Sequence, residues 1–317
     1  MTEPEKTASR IAVLLPCYNE EAAIGTTVRA FRAALPLAQV YVYDNNSKDR
    51  TAEVAREAGA IVRNEPRQGK GNVMRRMFAD VEADVYVLAD GDDTYDASQA
   101  PELIAKLVTE ELDLVTGRRV HTEAAAYRAG HVLGNRMLTG LTSLMFGIEL
   151  KDMLSGYRIM SRRFVKSFPF TAGGFAIETE LTVHAVRLLM PMAEVDTPYK
   201  ERPVGSASKL NTYRDGLRIL FTIAHLVREE RPLFFFGVIA AVLAVVSGIF
   251  GWSLLLEFIA TSKVPRLPTA LLATGLMVIA FLCLMSGLIL DTVTRGRWEA
   301  KRMAYLAFRG PQERRNA

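Results

Sequence analysis

Three carboxylates follow one short apolar run of the sequence. The run 85–89 reads Val-Tyr-Val-Leu-Ala, and Asp90, Asp92 and Asp93 come directly after it. Clustered carboxylates repel one another unless a cation joins them, and Mg²⁺ or Mn²⁺ takes carboxylate and phosphate oxygens as ligands. The cluster therefore predicts a divalent metal site that shares its ion with a phosphate group. An acidic turn that caps the next helix is the alternative interpretation.

Two earlier apolar runs also end in polar residues. Pro16, Tyr18 and Glu20 follow the first run, and the polar segment 44–51 follows the second. A Gly-Lys-Gly sequence centred on Lys70 opens a predicted helix, where backbone N–H groups and the ammonium would bind a phosphate. Taken singly, these segments would also suit turns and helix caps.

The elements that must position these residues alternate along the first half of the chain. Strands are predicted at 11–15, 40–43, 60–62, 85–89 and 112–116, and helices at 20–35, 51–58, 70–82, 100–110, 131–146 and 177–189. This order is typical of an α/β domain with a parallel sheet, in which ligands bind beyond the carboxyl ends of the strands. We therefore expect the polar strand ends to meet at one edge of the sheet.

Two uncharged stretches, 233–256 and 267–290, are each long enough to cross a bilayer. A short loop joins them, so we expect a transmembrane hairpin that anchors the protein. The segment 209–230 has an apolar stripe opposed by arginines, which predicts an amphipathic helix on the membrane surface; packing of the stripe on the α/β domain is the alternative. The expected divisions are an α/β domain at 1–206, the amphipathic helix at 207–231, the hairpin at 232–291 and a basic cytoplasmic tail at 292–317.

Charge and cysteine content bear on partners and location. The whole net charge of +4 resides in residues 291–317, which suits anionic lipid headgroups and argues against nucleic acid as a partner. Basic residues are frequent on both outer flanks of the hairpin, whereas its loop contains only Lys263 and Arg266. The positive-inside rule then places both termini and the α/β domain in the cytoplasm. Cys17 and Cys283 are the only cysteines, so a disulfide framework is excluded.

In order and spacing, the motifs resemble those of family 2 glycosyltransferases, most closely the dolichyl- or polyprenyl-phosphate sugar synthase branch. The resemblance covers essentially the whole chain. Its motifs are Pro16-x-Tyr18-Asn19-Glu20, the Asp44 turn, Gly69-Lys70-Gly71, Asp90-x-Asp92, Gly117-Arg118-Arg119, Asp152 with Ser155-Gly156-Tyr157-Arg158, Glu178-x-Glu180, and Arg202 with Gly205-x-x-Ser208-Lys209. The fold implied is a GT-A type, Rossmann-like domain that binds a nucleotide sugar.

The resemblance also implies roles for individual residues. It assigns Pro16, Tyr18, Glu20, Asp44, Lys70 and Asp90 to the donor nucleotide, Asp90 and Asp92 to Mg²⁺ or Mn²⁺, Asp92, Asp152, Arg118 and Arg158 to catalysis, and Arg136, Arg202 and Lys209 to the acceptor phosphate. Asp152 would orient Arg158 or the sugar hydroxyls. Asp152, Glu178 and Glu180 could equally form salt bridges with these cations.

One position departs from the family pattern. Two adjacent aspartates are usual after the second strand, and here Asp44 is followed by Asn45. The base-reading role implied for Asp44 is retained, whereas the role of the second carboxylate has no counterpart in this chain.

The implied activity is inverting transfer of one hexose from a UDP- or GDP-sugar to a polyprenyl phosphate at the cytoplasmic membrane face. A processive polysaccharide synthase is one alternative, but its Gln-x-x-Arg-Trp motif is lacking: Arg297-Trp298 follows the second stretch, and Thr294 stands where Gln would be. A catalytically silent nucleotide-sugar-binding scaffold is another, and the intact carboxylate cluster argues against it. The sequence is compatible with a homo-oligomer.

Overall fold

The structure is a computed structural model that describes residues 10–121, 139–140, 143, 147, 150–169, 177–200, 221 and 224–311. It divides into two compact units, Met1–Ile219 with Lys301–Ala317, and Leu220–Ala300. Most of the predicted helix 131–146 and of the amphipathic stripe 209–230 lies outside the described residues. The same holds for Arg136, Arg202 and Lys209, so their predicted contacts with an acceptor phosphate stay predictions.

The first unit contains a seven-stranded sheet in the order β3-β2-β1-β4-β6-β5-β7. Its strands are β1 (Ile11–Cys17), β2 (Gln39–Asp44), β3 (Ile61–Asn64), β4 (Val85–Leu88), β5 (Leu114–His121), β6 (Arg158–Ser161) and β7 (Met192–Tyr199). The α/β prediction and its strands are confirmed, but the expectation of a wholly parallel sheet is wrong. β6 runs antiparallel to both β4 and β5. This four-residue strand is buried throughout and begins with an arginine, so it shows neither an apolar run nor an alternating pattern.

Helices cover both faces of this sheet. They are α1 (Ile24–Ala34), α2 (Thr51–Glu57), α3 (Lys70–Asp80), α4 (Ala100–Thr109), α5 (Arg162–Ser167) and α6 (Ile177–Arg187). Alternate residues of β1 enter opposite cores, since Val13 packs with residues of α1 and α4 while Leu14 packs with residues of α3, α5 and α6. The sheet is therefore the middle layer of three, and its strand ends remain available for a site.

Helix α1 begins later than the sequence pattern predicts. The Glu20 carbonyl accepts hydrogen bonds from the N–H groups of Ala23 and Ile24, at 3.1 and 2.9 Å, and Asn19 has a φ of 54°. Residues 18–23 therefore form the turn that leads from β1 into the helix, and this turn carries the Tyr-Asn-Glu motif.

The second unit contains two apolar helices, α7 (Pro232–Thr261) and most of α8 (Leu267–Leu306). Their most apolar windows have mean hydropathies of 2.7 and 2.4, so both helices are long and apolar enough to cross a membrane. The loop between them is closed by an ion pair from Arg266 Nη2 to Glu257 Oε2 at 2.7 Å. Helix α8 continues beyond residue 290, so the segment predicted as a basic tail begins as a helix.

Candidate functional site

The carboxyl ends of β1, β2 and β4 lie next to one another. Cys17 pairs in register with Asp44, and a Cβ atom at Gly91 would overlap Cys17 Sγ. Burial raises the pKa of the Cys17 thiol well above its usual value, and the charges of four carboxylates raise it further: Glu20, Asp44, Asp90 and Asp92. The structure therefore gathers around one sulfur the four carboxylates that sequence analysis placed at one edge of the sheet.

The turns that follow β1 and β2 are hydrogen-bonded to each other. The N–H of Asn19 donates to Ser47 Oγ at 2.9 Å, and the N–H of Lys48 donates to Asn19 Oδ1 at 2.8 Å. The N–H of Glu20 donates to Thr51 Oγ1 at 2.8 Å. These polar residues thus hold two strand ends together, which is a different use from the helix capping that their types also suggested.

Asp44 is buried at the end of β2. Its Oδ2 accepts a hydrogen bond from the N–H of Ser47 at 3.2 Å. Its Oδ1 is also buried, and no group in the described part of the chain donates to it. A buried carboxylate oxygen without a donor is costly, so this atom is a candidate acceptor for an N–H group of a ligand.

Lys70 joins two carboxylates from different elements. Its ammonium donates to Asp90 Oδ1 at 2.5 Å and to Glu178 Oε1 of α6 at 2.6 Å. Burial by itself lowers the pKa of Lys70, but the two carboxylates outweigh it and raise the pKa, so the ammonium stays charged. The sequence predicts a phosphate contact for Lys70 and offers Glu178 as a salt-bridge partner for other cations. The structure pairs these two residues with each other.

The acidic turn after β4 is held by short contacts. Asp92 is buried, and its Oδ1 accepts a hydrogen bond from Thr94 Oγ1 at 2.6 Å. Asp90 lies against the backbone of Gly156, where a Cβ atom would come within 2.6 Å of Asp90 Oδ2. Any side chain at position 156 would therefore displace the Asp90 carboxylate.

Asp90 and Asp92 form a set of hard oxygen ligands suited to Mg²⁺ or Mn²⁺. Within the described ranges, no group of three or more His, Cys, Asp or Glu side chains could hold a metal ion. Mg²⁺ is commonly bound by one or two carboxylates and completed by phosphate oxygens and water. The two carboxylates therefore fit a metal that arrives with a diphosphate, rather than a permanent ion held in an all-protein cage.

A second charged cluster lies on β5. The Arg119 guanidinium binds both oxygens of Asp152, with Nε to Oδ2 at 2.8 Å and Nη2 to Oδ1 at 2.7 Å, and lies 5.7 Å from the centre of the Tyr199 ring. Arg118 points to the other face of the strand and pairs with Asp196. The family resemblance selects Arg118 and has Asp152 orient Arg158 or the sugar hydroxyls, whereas the bidentate partner that the structure gives Asp152 is Arg119.

Arg158 is fully buried at the start of β6. It donates to the carbonyls of Ser155 and Met153 and to Thr182 Oγ1, at 3.0, 2.7 and 2.9 Å. Its Nη1 has no partner in the described part of the chain. Burial lowers the pKa of Arg158 to about 10, so it is still a cation at neutral pH. Arg158 therefore places a positive charge among neutral acceptors at the start of β6, next to the carboxyl end of β4.

Two tyrosines that sequence analysis did not select connect the two clusters. The N–H of Gly156 donates to the Tyr95 hydroxyl at 2.8 Å, and the rings of Tyr95 and Tyr199 meet edge to face at 5.3 Å. The N–H of Lys200 donates to the Thr94 carbonyl at 2.9 Å. The end of β7 thereby supports the acidic turn. The sequence does not predict β7, so it does not predict this contact between β7 and the turn either.

The comparisons with known proteins agree with this architecture. The family model described as glycosyl transferase family 2 matches residues 12–168. Glycosyltransferase AglJ of Haloferax volcanii is 34% identical over 233 residues, which cover 73% of this chain and 76% of AglJ. The dolichyl-phosphate hexose transferase of the same organism is 30% identical over 228 residues, which cover 72% of this chain and 98% of that protein.

A solved structure resembles the first unit and carries ligands. Glucosyl-3-phosphoglycerate synthase from Mycobacterium tuberculosis, in complex with Mn²⁺, UDP and glucosyl-3-phosphoglycerate, is 26% identical with a TM-score of 0.55, and the match covers 70% of this chain and 80% of that one. The mixed sheet and its strand-end site thus define a glycosyltransferase fold of the GT-A type. The chain belongs to glycosyl transferase family 2, and two apolar helices that could span a membrane follow its α/β domain.

Proposed function

We propose that this glycosyltransferase transfers a single hexose from a UDP- or GDP-sugar to a polyprenyl phosphate, with inversion at the anomeric carbon. The observation that carries the proposal is the convergence of Asp44, Asp90, Asp92 and Lys70 at one sheet edge, in a chain that also has two membrane-type helices. The similarity to a dolichyl-phosphate hexose transferase over nearly its whole length supports a lipid phosphate as the acceptor.

The donor nucleotide would lie across the ends of β1 and β2. The Asp44 Oδ1 atom would accept a hydrogen bond from a ring N–H of uracil or guanine, which would satisfy its unpartnered position. Pro16 near the end of β1, and Tyr18 and Glu20 on the turn that follows it, would line the nucleoside pocket. Because both bases offer such an N–H, the proposal covers UDP and GDP donors.

Charge on the departing diphosphate would be neutralised at the end of β4. Asp90 and Asp92 would hold Mg²⁺ or Mn²⁺, which when bound would stabilise the leaving nucleoside diphosphate. Lys70 carries a further fixed positive charge beside Asp90. Such preorganised charges act strongly because they need no rearrangement as the transition state forms.

The nucleophile would need no base from the protein. A phosphate monoester has a second pKa of about 6, so the acceptor is already largely dianionic at neutral pH. Its oxygen would form a bond to the anomeric carbon while the bond from that carbon to the diphosphate oxygen breaks, and the diphosphate leaves with the electron pair. Asp152 would position Arg119, its bidentate partner, while Arg119 and Arg158 would stabilise the phosphate charges. Arg136, Arg202 and Lys209 are proposed to bind the acceptor phosphate.

The test is a transfer assay with the purified full-length protein in lipid nanodiscs. A panel of labelled UDP- and GDP-hexoses is offered with a short polyprenyl phosphate, with and without Mg²⁺ or Mn²⁺, and products are analysed by mass. We expect one lipid phosphate that bears one sugar. A ladder of longer products would favour the processive synthase, and nucleotide binding without any product would favour the silent scaffold.

The membrane face is tested separately. We propose that both termini and the α/β domain are cytoplasmic, because basic residues flank the hairpin on its outer sides. With Cys17 and Cys283 replaced by Ser, a membrane-impermeant thiol reagent added to intact cells should label Lys263→Cys and leave Lys301→Cys unlabelled. The opposite labelling pattern would contradict this topology.

A further inference from the structure

Asn45, where the family usually has a second aspartate, is buried at the end of β2, with 3% of its surface exposed. Its Nδ2 donates to the carbonyls of Glu65 and Arg67, each at 2.8 Å. Its Oδ1 accepts a hydrogen bond from the N–H of Gly69 at 2.7 Å. Only an amide side chain of this size supplies two donors and one acceptor, whereas an ionised carboxylate would direct lone pairs at two carbonyl oxygens.

These three hydrogen bonds fix the segment that leads into α3. They hold alternate residues, 65, 67 and 69, which leaves little freedom in the path between β3 and the helix. Gly69 adopts a φ of 122°, a value that side chains rarely tolerate, and α3 begins at the next residue. That next residue is Lys70, whose ammonium lies between Asp90 and Glu178.

We propose that Asn45 is a positioning residue for Lys70. Through the segment 65–69 it holds the lysine ammonium beside the acidic turn, and this placement sets the affinity of the site for a nucleoside diphosphate. The inference rests on the proposed function for the identity of that ligand. It assigns a role to the amide at position 45 that a carboxylate could not perform.

The adjacent residue provides a matched control. Asn46 Nδ2 donates to the Pro66 carbonyl of the same segment at 2.7 Å, but this hydrogen bond is exposed to solvent. Water can replace a lost hydrogen bond at Asn46 and cannot do so at buried Asn45. Asn46 has a φ of 63°, which Asp tolerates well, so Asn46→Asp tests the same chemical change one residue away.

The first measurement is hydrogen exchange of the ligand-free, full-length protein. Asn45→Asp and Asn45→Ala should each lower the protection of the Gly69 amide by about tenfold or more, the scale of one lost buried hydrogen bond, with the amides of β1 and β4 unchanged. Asn46→Asp should change the Gly69 amide by less than about threefold. Asn45→Ala introduces no charge and serves if Asn45→Asp does not fold. Unchanged exchange of the Gly69 amide would overturn the inference.

The second measurement is a double-mutant cycle on the binding of UDP and GDP by calorimetry. Asn45→Ala should weaken binding about tenfold in the wild-type background and less than about twofold in the Lys70→Ala background, because its effect passes through the lysine. A purely structural role would give equal losses in both backgrounds and would overturn the inference. Absence of UDP and GDP binding to the wild-type protein would instead contradict the proposed function, and the exchange experiment, which needs no ligand, distinguishes the two failures.

Discussion

Two regions of one sheet differ in how they hold charge. The acidic edge, formed by Asp44 at the end of β2 and by Asp90 and Asp92 after β4, gathers carboxylates around the Cys17 thiol, and Lys70 pairs with one of them, Asp90. The arginine edge, formed by Arg119 and Arg158 on β5 and β6, presents one guanidinium bound to Asp152 and one whose hydrogen bonds go to neutral oxygens. The acidic edge therefore calls for a cation and the arginine edge for an anion.

This difference matches the two substrates of the proposed reaction. A diphosphate that arrives with a metal ion suits the acidic edge, and an acceptor phosphate suits the arginine edge. Helix α6 contacts both, because Glu178 binds Lys70 and Thr182 Oγ1 accepts from Arg158. The two edges are thus separate in chemistry but share one helix.

The largest expected effect is at the acidic edge. Asp92→Asn, or chelation of divalent metal, should lower the transfer rate by about a hundredfold, the scale of losing one preorganised charge-stabilising element. An amide oxygen can still accept from Thr94, so the fold should persist. Asp96→Asn, which keeps the side-chain cap on Ser98, is the control and should stay within about twofold. Full activity in chelator, with no metal bound, would contradict the metal assignment.

A smaller effect separates Arg119 from Arg118. Arg119→Ala leaves the buried Asp152 carboxylate without its bidentate partner, which should lower the free energy of unfolding by about 3 kcal/mol. Arg118→Ala removes a more exposed pair with Asp196 and should cost less than about 1 kcal/mol. Thermal unfolding and transfer rates of both variants test this. If Arg118→Ala proves the more damaging to transfer, the sequence-based choice of Arg118 is restored.

The smallest effect at neutral pH concerns α6, which serves both edges, because this effect develops only as the pH is lowered. Burial, and to a lesser degree the charge of Lys301, lower the pKa of His184 to about 3, whereas an unfolded histidine has a pKa of about 6.5. Between these values the unfolded chain binds one more proton than the folded one, so stability decreases as the pH is lowered, by up to about 1.4 kcal/mol per pH unit. Thermal unfolding from pH 7 to 4 should show a shallower decline for His184→Gln. Equal slopes would mean that His184 is not the group being protonated.

The acidic edge was predictable because its signals are local. Each motif follows directly after an apolar run, and parallel strands bring their carboxyl ends to the same side, so the sequence alone places Asp44 and Asp90 together. The arginine edge was not predictable in the same way. The choice between Arg118 and Arg119 depends on which face of β5 each occupies, and neighbouring residues of a strand differ only in that respect.

The sequence by itself determined the class of elements, the polar strand ends and the two membrane-type helices, because these depend on composition and periodicity over short windows. Only the tertiary structure decided the direction of β6, the pairing of Lys70 with Glu178 and the partners of Asn45. Those contacts join positions 108 residues apart in the case of Lys70 and Glu178, and 20 to 24 apart for Asn45. Their physical basis is the matching of donors and acceptors across folded segments, which residue type alone does not specify.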